Sequence, residues 1–393
     1  MKKSLVILFV LMLVSSCIYP YTPDVSDEYG RVVIEGDISL GTVSHFSANQ
    51  VVPFDANFYT ASSIGVYKAS FKVEAENGLV YNEIGTSGDI DLTAAGADTR
   101  YRMVAEITRA EGEDAVVFAS DWQEPAPAPE IGRLVESAQD GILSLALNLS
   151  SDYESGCYRW EYEELYHYRS PMGSPTLELD LETGAIKDHT DASDINEVLD
   201  WWKYEWCWME TSSRRSAVAI AKSLQGSTLK NHEFLTIPTS SDKLAAGEYY
   251  LRLIARSIPE AQYRYLNAVN EGSEKMGSLF SPVPGEQIGN IRNVADPDDY
   301  AIGYVGVNRV AKKLFHIYTP GRGRFFNPDN YATDILVTLR EAYPEMPGNL
   351  LNLEAYKWGY YPYVYDPGLL WLPTFCYDCR LSGGTPEKPK GWD

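Results

Sequence analysis

The stretch EYYLRLIAR, residues 248–256, alternates core-type side chains with polar or aromatic ones along its whole length. Successive side chains of a strand point to opposite faces, so this pattern predicts a strand that is buried on at least one face. A second run, YRWEYEELYHY at 158–168, is longer and more aromatic, and aromatic residues favour strands. These two runs predict a mainly β fold for the larger part of the chain.

Shorter runs of β-type sequence predict a separate N-terminal domain over residues 31–130. The run RVVIEGDI at 31–38 opens it, and further runs follow at 63–67, 70–75, 99–107 and 115–119. Turn signals with glycine separate these runs, as in an immunoglobulin-like or transthyretin-like β-sandwich. The alternating prolines of EPAPAP disfavour both helix and ladder pairing, which places the domain boundary near residue 130.

The remaining residues, 131–393, predict a larger, mainly β C-terminal domain with one docked helix. Further strands are predicted at 142–149, 301–307 and 313–318. Ser257 as N-cap, Pro259 in the first turn and Glu260 at the third helical position predict a helix that ends near Gly272. One face of this helix should dock against a sheet through side chains spaced at about one turn, namely Ala261, Tyr265, Leu266 and Val269.

The N-terminus has the pattern of a bacterial lipoprotein signal peptide. Lys2 and Lys3 precede an apolar run at 5–14, which is too short to cross a bilayer. The sequence VSSC then places small residues before a cysteine, so we expect cleavage after residue 16 and lipidation of Cys17. Several acyl chains would anchor the protein stably, with residues 17–30 as an extended tether. The alternative is an ordinary secretory signal with an accidental cysteine.

The charge of the chain argues against nucleic-acid binding. The net charge is −22, and removal of residues 1–16 makes it −24, since two of the 33 basic residues are lost. An acidic surface repels the phosphate backbone of nucleic acids. It also opposes adhesion to anionic lipid, which leaves the lipid on Cys17 as the expected membrane contact.

Aromatic residues are unusually frequent, with 28 tyrosines and 9 tryptophans. In an exported chain they suit stacking on a glycan or contact with a peptide or protein partner. The alternative is a β-rich core that uses aromatics as strand formers. The cluster to inspect is Trp201, Trp202, Trp206 and Trp208, of which Trp202, Trp206 and Trp208 would share one face of a strand and form a candidate stacking surface.

Four cysteines remain after Cys17, and an even number in an oxidising compartment suggests disulfides. Three connectivities are open. We favour closure of Cys376 with Cys379, which leaves Cys157 to pair with Cys207. A zinc site built from the same four thiols is the alternative, although Cys157 and Cys207 lack the usual ligand spacing.

The sequence contains none of the common catalytic motifs, and we expect no enzymatic activity, no cofactor and no metal. Glu161, Glu163 and Glu164 could supply the acid and base of a glycosidase, and Glu161 would share a strand face with Glu163. Asp296-Pro-Asp-Asp299 could bind calcium, and the basic run GRGR at 321–324 could hold an anion. The histidines are scattered without ligand spacing: His45, His167, His189, His232 and His316.

An ordered string of motifs resembles one known family, the Bacteroidota lipoproteins designated domain of unknown function 4249. The motifs are CIYPY at 17–21, RVVIEG at 31–36, YRWEYEE at 158–164, Cys207-Trp208, SIPEAQYRYLNAVNE at 257–271, GSLF at 277–280, GNI at 289–291, Asp296-Pro-Asp298, Gly303-Tyr304, and CYDCRLSGG at 376–384 followed by Pro389 and Trp392. The string covers essentially the whole chain after the signal peptide.

This resemblance implies an outer-membrane lipoprotein on either face of that membrane. Genes of such lipoproteins tend to lie beside TonB-dependent receptors, which implies a non-enzymatic accessory subunit that binds a ligand, a glycan or a peptide, or a receptor partner. The resemblance brings no catalytic residues. Two alternatives remain open: an envelope glycan hydrolase, and a purely structural or adhesin-like surface module.

Overall fold

The structure is a computed structural model of the 393-residue chain. It describes residues 30–51, 66–82, 88–172, 177–188, 204–213, 219–224, 226–275, 288–318, 331–364 and 369–392. The predicted signal peptide, Cys17 and almost all of the tether lie outside the described residues, as does most of the predicted run 63–67.

Strands dominate the N-terminal part of the chain, as predicted. They are β1 (Val32–Glu35), β2 (Ile38–Leu40), β3 (Val43–His45), β4 (Ser47–Gln50), β5 (Lys68–Ala75), β6 (Val80–Asn82), β7 (Asp89–Asp91), β8 (Tyr101–Thr108) and β9 (Val116–Ser120). The predicted run 31–38 is divided at Gly36, where the chain turns from β1 into β2. A Cβ at Gly36 would lie 2.4 Å from the Phe46 ring, so only glycine fits this turn.

The middle of the chain also consists mainly of strands, with two helices. They are β10 (Glu130–Ile131), β11 (Val135–Gln139), β12 (Ile142–Ser150), β13 (Cys157–Arg169), β14 (Leu177–Leu179), β15 (Ile186–Asp188), β16 (Trp206–Ser212), β17 (Ala219–Lys222), β18 (Thr228–Pro238), α1 (Asp242–Ala245), β19 (Glu248–Ile258), α2 (Glu260–Lys275), β20 (Ile291–Asn293) and β21 (Val307–Tyr318). The C-terminal part adds α3 (Ile335–Ala342), α4 (Gly348–Lys357), β22 (Tyr360–Val364) and β23 (Leu370–Pro373).

Two sheets of the middle part pack face to face. The larger has six strands in the order β16-β13-β19-β21-β2, with β17 beside β13. The smaller has four strands, in which β12 pairs with β10 and β11 on one side and with β18 on the other. Alternate residues of β12 face the core between the two sheets: Leu147 packs with Tyr158 and Trp160 of β13, and Leu145 packs with Tyr166 in a neighbouring cluster. The alternation predicted for residues 248–256 is confirmed, because Tyr249, Leu251 and Leu253 face this core.

The N-terminal strands form a five-stranded antiparallel sheet and two small two-stranded sheets around their own core. Two later segments contribute to this region. Strand β20 pairs with β9, and Ile291, Ala301 and Val305 complete the core. Conversely, β2 comes from the N-terminal part of the chain but pairs in parallel with β21 of the six-stranded sheet. The mainly β class is confirmed, while the sandwich type and the boundary near residue 130 stay predictions.

The segment 301–306 was predicted as part of a strand and is not one. It makes a single bridge, in which Ile302 bonds to Val32 and Ile34 of β1. Regular strand structure starts at Val307. The segment connects the core of the N-terminal strands, which holds Ala301 and Val305, to strand β21 of the six-stranded sheet, and that strand begins at Val307. At Gly306 the segment passes so close to Gln262 that a Cβ would lie 2.2 Å from Gln262 Oε1.

The helix prediction is correct in place and wrong in detail. Helix α2 starts at Glu260, and Ser257 is not its N-cap, because β19 continues to Ile258 and Ser257 pairs with Tyr158. The docked face is also rotated from the predicted one. Ala261 and Val269 are exposed, whereas the polar Gln262 is fully buried. Helices α1, α3 and α4 were not predicted. The last two pack with β22 and β23 around Trp371, Tyr361 and Leu351 as a C-terminal core.

Candidate functional site

One face of strand β13 carries a row of charged side chains, formed by Arg159, Glu161 and Glu163. Strand β19 lies beside it and supplies two arginines to the same face. Arg256 Nη1 donates to Glu161 at 2.9 Å, and Arg252 Nη1 donates to Glu163 at 2.7 Å. Both glutamates are thus held by guanidinium groups, which can only donate hydrogen bonds.

Asp37, at the start of β2, joins this row to the rest of the molecule. It is 9 % exposed and accepts from Arg159 Nη1, from Gln262 Nε2 at 2.8 Å and from the Gly306 amide at 2.9 Å. The four residues come from four separate segments of the chain. Two of them, Arg159 and Gln262, belong to motifs that carry the family resemblance, so these motifs meet at one buried polar junction.

A cavity of about 670 Å³ opens above the charged row, between the six-stranded sheet and the first strands of the chain. Its volume falls in the range of small-molecule sites. The floor comes from β13, β19 and β21, and the rim from β3, β4 and the residues around them. Charged residues of both signs line it, among them Asp37, Glu161, Glu163, Arg252, Arg256 and Lys312.

Glu164 is next to Glu163 in sequence but lies on the opposite face, buried between the two sheets. Lys243 Nζ donates to both of its carboxylate oxygens at 2.7 Å. The Tyr249 hydroxyl donates at 2.6 Å and the Thr211 hydroxyl at 2.8 Å. Burial, with the adjacent Glu164 charge, raises the pKa of Tyr249 far above its usual range, which keeps that hydroxyl protonated as a donor. Glu164 is therefore a structural anion and does not face the cavity.

A row of aromatic rings in contact, which we call the aromatic ladder, lies on the same face of the six-stranded sheet beyond Glu163. It consists of Trp206, His167, Trp208, Tyr250 and His316, contributed by β16, β13, β19 and β21. The His167 ring lies 4.9 Å from Trp206 and 4.7 Å from Trp208, and Tyr250 stacks on His316 at 4.4 Å.

The ladder includes two of the three tryptophans predicted as a stacking surface. Trp206 and Trp208 share the cavity face, while Trp202 lies outside the described residues, as does Trp201. Trp206 is 40 % exposed, and Trp208 is partly buried. His167 stacks on Trp208 and Tyr250 stacks on His316, whereas Trp208 meets Tyr250 edge to face and Trp206 is tilted against His167.

The last described residues, 383–392, lie across this face, and we call them the C-terminal strap. Thr385 forms a two-bond bridge with Trp208, and Lys388 Nζ lies 4.1 Å from the Tyr250 ring centroid. Further along, Arg252 Nη2 donates to the Gly391 carbonyl, and its guanidinium lies 4.0 Å from the Trp392 ring. Trp392 is 1 % exposed, so the strap is anchored at its end and its Gly391 forms part of the cavity wall.

The favoured disulfide pairing is wrong, because Cys207 is bonded to Cys379. Cys157 starts β13, while Cys207 lies beside Tyr168 near the other end of that strand. Eleven residues of strand separate these positions by about 36 Å, so Cys157 and Cys207 cannot be bridged. Cys379 begins the short 3-10 helix that contacts β16. Cys157 and Cys376 are buried thiols, and burial raises the pKa of Cys157.

The other predicted sites that lie within the described residues are not grouped as a metal centre would require. No group of three or more His, Cys, Asp or Glu side chains able to hold a metal ion occurs in the described part of the chain. Asp296 caps its own turn by accepting from the Asp298 amide, and Asp299 pairs with Arg109. His45 contacts Asp89 at the cavity rim. His189 and the basic run 321–324 lie outside the described residues.

Sequence reasoning missed several residues of the cavity: Asp37, Arg159, Arg252, Arg256 and Lys312. A signal for two of them was present, because Arg252 and Arg256 interrupt the apolar residues of β19 at even positions and must share a face. Asp37 also follows a glycine in a run, 31–38, whose other charged residues are Arg31 and Glu35. These residues meet in one cavity because strands that are distant in the sequence pair with each other, and the sequence pattern does not predict that pairing.

Comparison with known proteins gives one match and one negative result. The model of a family described as a domain of unknown function (DUF4249) matches residues 18–314. The match ends within β21, so the C-terminal core and the strap follow it, whereas the motif resemblance ran to Trp392. No curated protein matches the chain. None of the described helices has the length and apolar character needed to cross a membrane. Since the family match spans well over half of the 393 residues, including the charged row and most of the cavity, the chain belongs to the DUF4249 family.

Proposed function

We propose that this protein is a non-enzymatic lipoprotein of the Bacteroidota outer membrane that binds a ligand or a partner for a TonB-dependent receptor. The lipid on Cys17 would hold it to either face of that membrane. The family membership, the signal-peptide pattern and the motif resemblance support this proposal together. The observation that carries it is the polar cavity, which has the size of a ligand site and is walled by an anchored C-terminal strap.

The arrangement of the charged row favours binding over hydrolysis. A glycosidase needs one carboxyl that can give a proton and a second that acts as base or nucleophile. Glu161 and Glu163 both line the cavity, which satisfies the need for a concave site. Each already accepts from an arginine, and Glu164 lies on the other face with Lys243. The row therefore resembles a fixed polar surface more than an acid and base pair.

The proposal is tested by purifying the tagged protein from outer membranes. We expect a β-barrel receptor to copurify, and we expect Cys17→Ala to move the protein into the soluble fraction. Repeated recovery of the anchored protein without a receptor would contradict the partner role. An anchored wild type and an equally anchored Cys17→Ala variant would contradict the lipid anchor.

The hydrolase alternative has its own experiment. Purified protein is incubated with envelope glycans, and release of reducing ends is compared with that of Glu161→Gln and Glu163→Gln variants. We expect the wild type to release no more reducing ends than either variant. Release that is lost in either single variant would establish the hydrolase and overturn the binding role.

A further inference from the structure

Two arginines face each other across strands β13 and β19 on the cavity floor. Arg159 and Arg256 are direct partners in the strand register, an arrangement in which like charges repel. Burial lowers the pKa of Arg256; the Glu161 charge opposes this shift, and the nearby Arg159 charge adds to it. Glu161 lies beside both guanidinium groups, 2.9 Å from Arg256 Nη1 and 3.9 Å from Arg159 Nη2, and Asp37 bonds to Arg159 Nη1, so two cations and two carboxylates share this part of the floor.

The carboxylates at this end of the floor do not use all the donors. Asp37 bonds to Arg159 Nη1, whereas Arg159 Nη2 lies 3.9 Å from Glu161, beyond hydrogen-bond distance. Lys312 joins the same floor beside Ile254, and its described polar contact is the Thr42 hydroxyl at 3.3 Å. The whole lining carries five carboxylates and four Arg or Lys side chains, and Arg159, Arg256 and Lys312 meet Asp37 and Glu161 at this end of it.

We propose that this floor binds the carboxylate of a short peptide between Arg159, Arg256 and Lys312. The inference rests on the proposed ligand-binding function and names its ligand class. Guanidinium groups suit carboxylates because their donors match the two oxygens. The other lining residues favour a zwitterion over a polyanion, since Glu35, Asp89 and Glu163 would repel further negative charge but accept from a peptide amine. The volume of about 670 Å³ has room for a peptide of a few residues.

The test compares trialanine with its C-terminal amide, which differ at the carboxylate alone. Binding to the full-length mature protein is measured by isothermal titration calorimetry at low salt, with each peptide up to 10 mM. We expect the free acid to bind at least tenfold more tightly than the amide. Equal affinity of the two peptides, or binding of neither at 10 mM, would overturn the proposal.

Lys312 and its neighbour Lys313 supply a matched pair of variants. Lys313 points to the opposite face of β21, where its Nζ donates to the Ile131 and Gly132 carbonyls at 3.0 and 3.1 Å. We expect Lys312→Met to weaken trialanine binding about tenfold and to leave amide binding unchanged. Lys313→Met should leave both affinities unchanged. An equal loss in both variants, with unchanged melting temperatures, would show general electrostatics and contradict a carboxylate site.

The same variants separate this inference from the proposed function. If Lys312→Met and wild type recover a receptor equally well but neither prefers the acid, the carboxylate site is wrong and the partner role stands. If the acid preference is present and no receptor copurifies, the carboxylate site stands and the partner role is wrong.

Discussion

The two faces of strand β13 perform different tasks although their residues alternate along one strand. The even face, with Tyr158, Trp160 and Glu164, packs against the four-stranded sheet and is almost closed to solvent. The odd face, with Arg159, Glu161 and His167, lines the cavity and the aromatic ladder. Residue type alone therefore does not identify a site, since aromatic and acidic residues occur on both faces.

Adjacent glutamates show this most clearly. Glu163 is partly exposed and paired with Arg252 over the cavity, whereas Glu164 is 4 % exposed and accepts from three different side chains. A buried charge must have its partners, because an unpaired one costs several kcal/mol. One step along the strand therefore changes an acidic residue from a cavity-facing group into part of the core.

The largest contrast between the faces is expected for their tryptophans. Trp160→Ala should lower the free energy of unfolding by about 4 kcal/mol, since it leaves a cavity in the core. Trp206→Ala should cost less than about 1 kcal/mol, because the side chain is 40 % exposed. Urea unfolding followed by circular dichroism measures both. Similar losses for the two variants would show that the ladder is itself a core.

The glutamates give the next largest contrast. Glu164→Ala should lower stability by about 3 kcal/mol, because Lys243, Tyr249 and Thr211 lose their acceptor. Glu163→Ala should cost about 1 kcal/mol or less, since its partner Arg252 can reach water in the open cavity. Chemical unfolding of both variants under the same conditions provides the measurement. A larger loss for Glu163 would reverse our assignment of the faces.

Removal of the Cys207–Cys379 disulfide tests how strongly this bond holds the C-terminal strap over the odd face. Cys379→Ser should lower stability by about 2 kcal/mol, at the low end of the usual range, because the released strap can detach without unfolding the sheets. Cys376→Ser should keep the disulfide. Non-reducing peptide mapping distinguishes the pairings, and a peptide linking Cys376 to Cys379 would contradict this structure.

Two histidines, His167 in the ladder and His232 packed against Trp160 of the even face, should give the smallest change in stability. Burial lowers the pKa of His167 in the ladder and of His232 beside Trp160 below the usual 6.5. The unfolded chain then binds protons more readily, so stability is full above about pH 6.5 and falls as the pH drops through the folded-state pKa. Unfolding at pH 7.5 and 5.5 should show this loss, and His167→Gln should reduce it. An unchanged pH dependence in His167→Gln would place that ring in solvent.

Much of the architecture was predictable where a pattern is local. Strands β5, β8, β9, β12, β13 and β19 lie where alternation or short apolar runs placed them, because the period of two is set within each strand. The same rule placed Glu161 with Glu163, and Trp206 with Trp208. Predictions failed where a neighbour in space overrode the local signal. Ser257 has the chemistry of an N-cap, yet pairing with Tyr158 keeps it in a strand.

The mainly β class, the alternation of residues between the two faces of a strand and the family of the chain can all be read from the amino-acid sequence. These properties depend on alternation and on motifs within short segments. The contacts of Asp37 with Gln262 and Gly306, the bond between Cys207 and Cys379, and the common cavity floor of Lys312 and Arg159 required the folded structure. Such contacts join segments 100 or more residues apart, and strand register and sheet packing, which no local pattern encodes, bring them together.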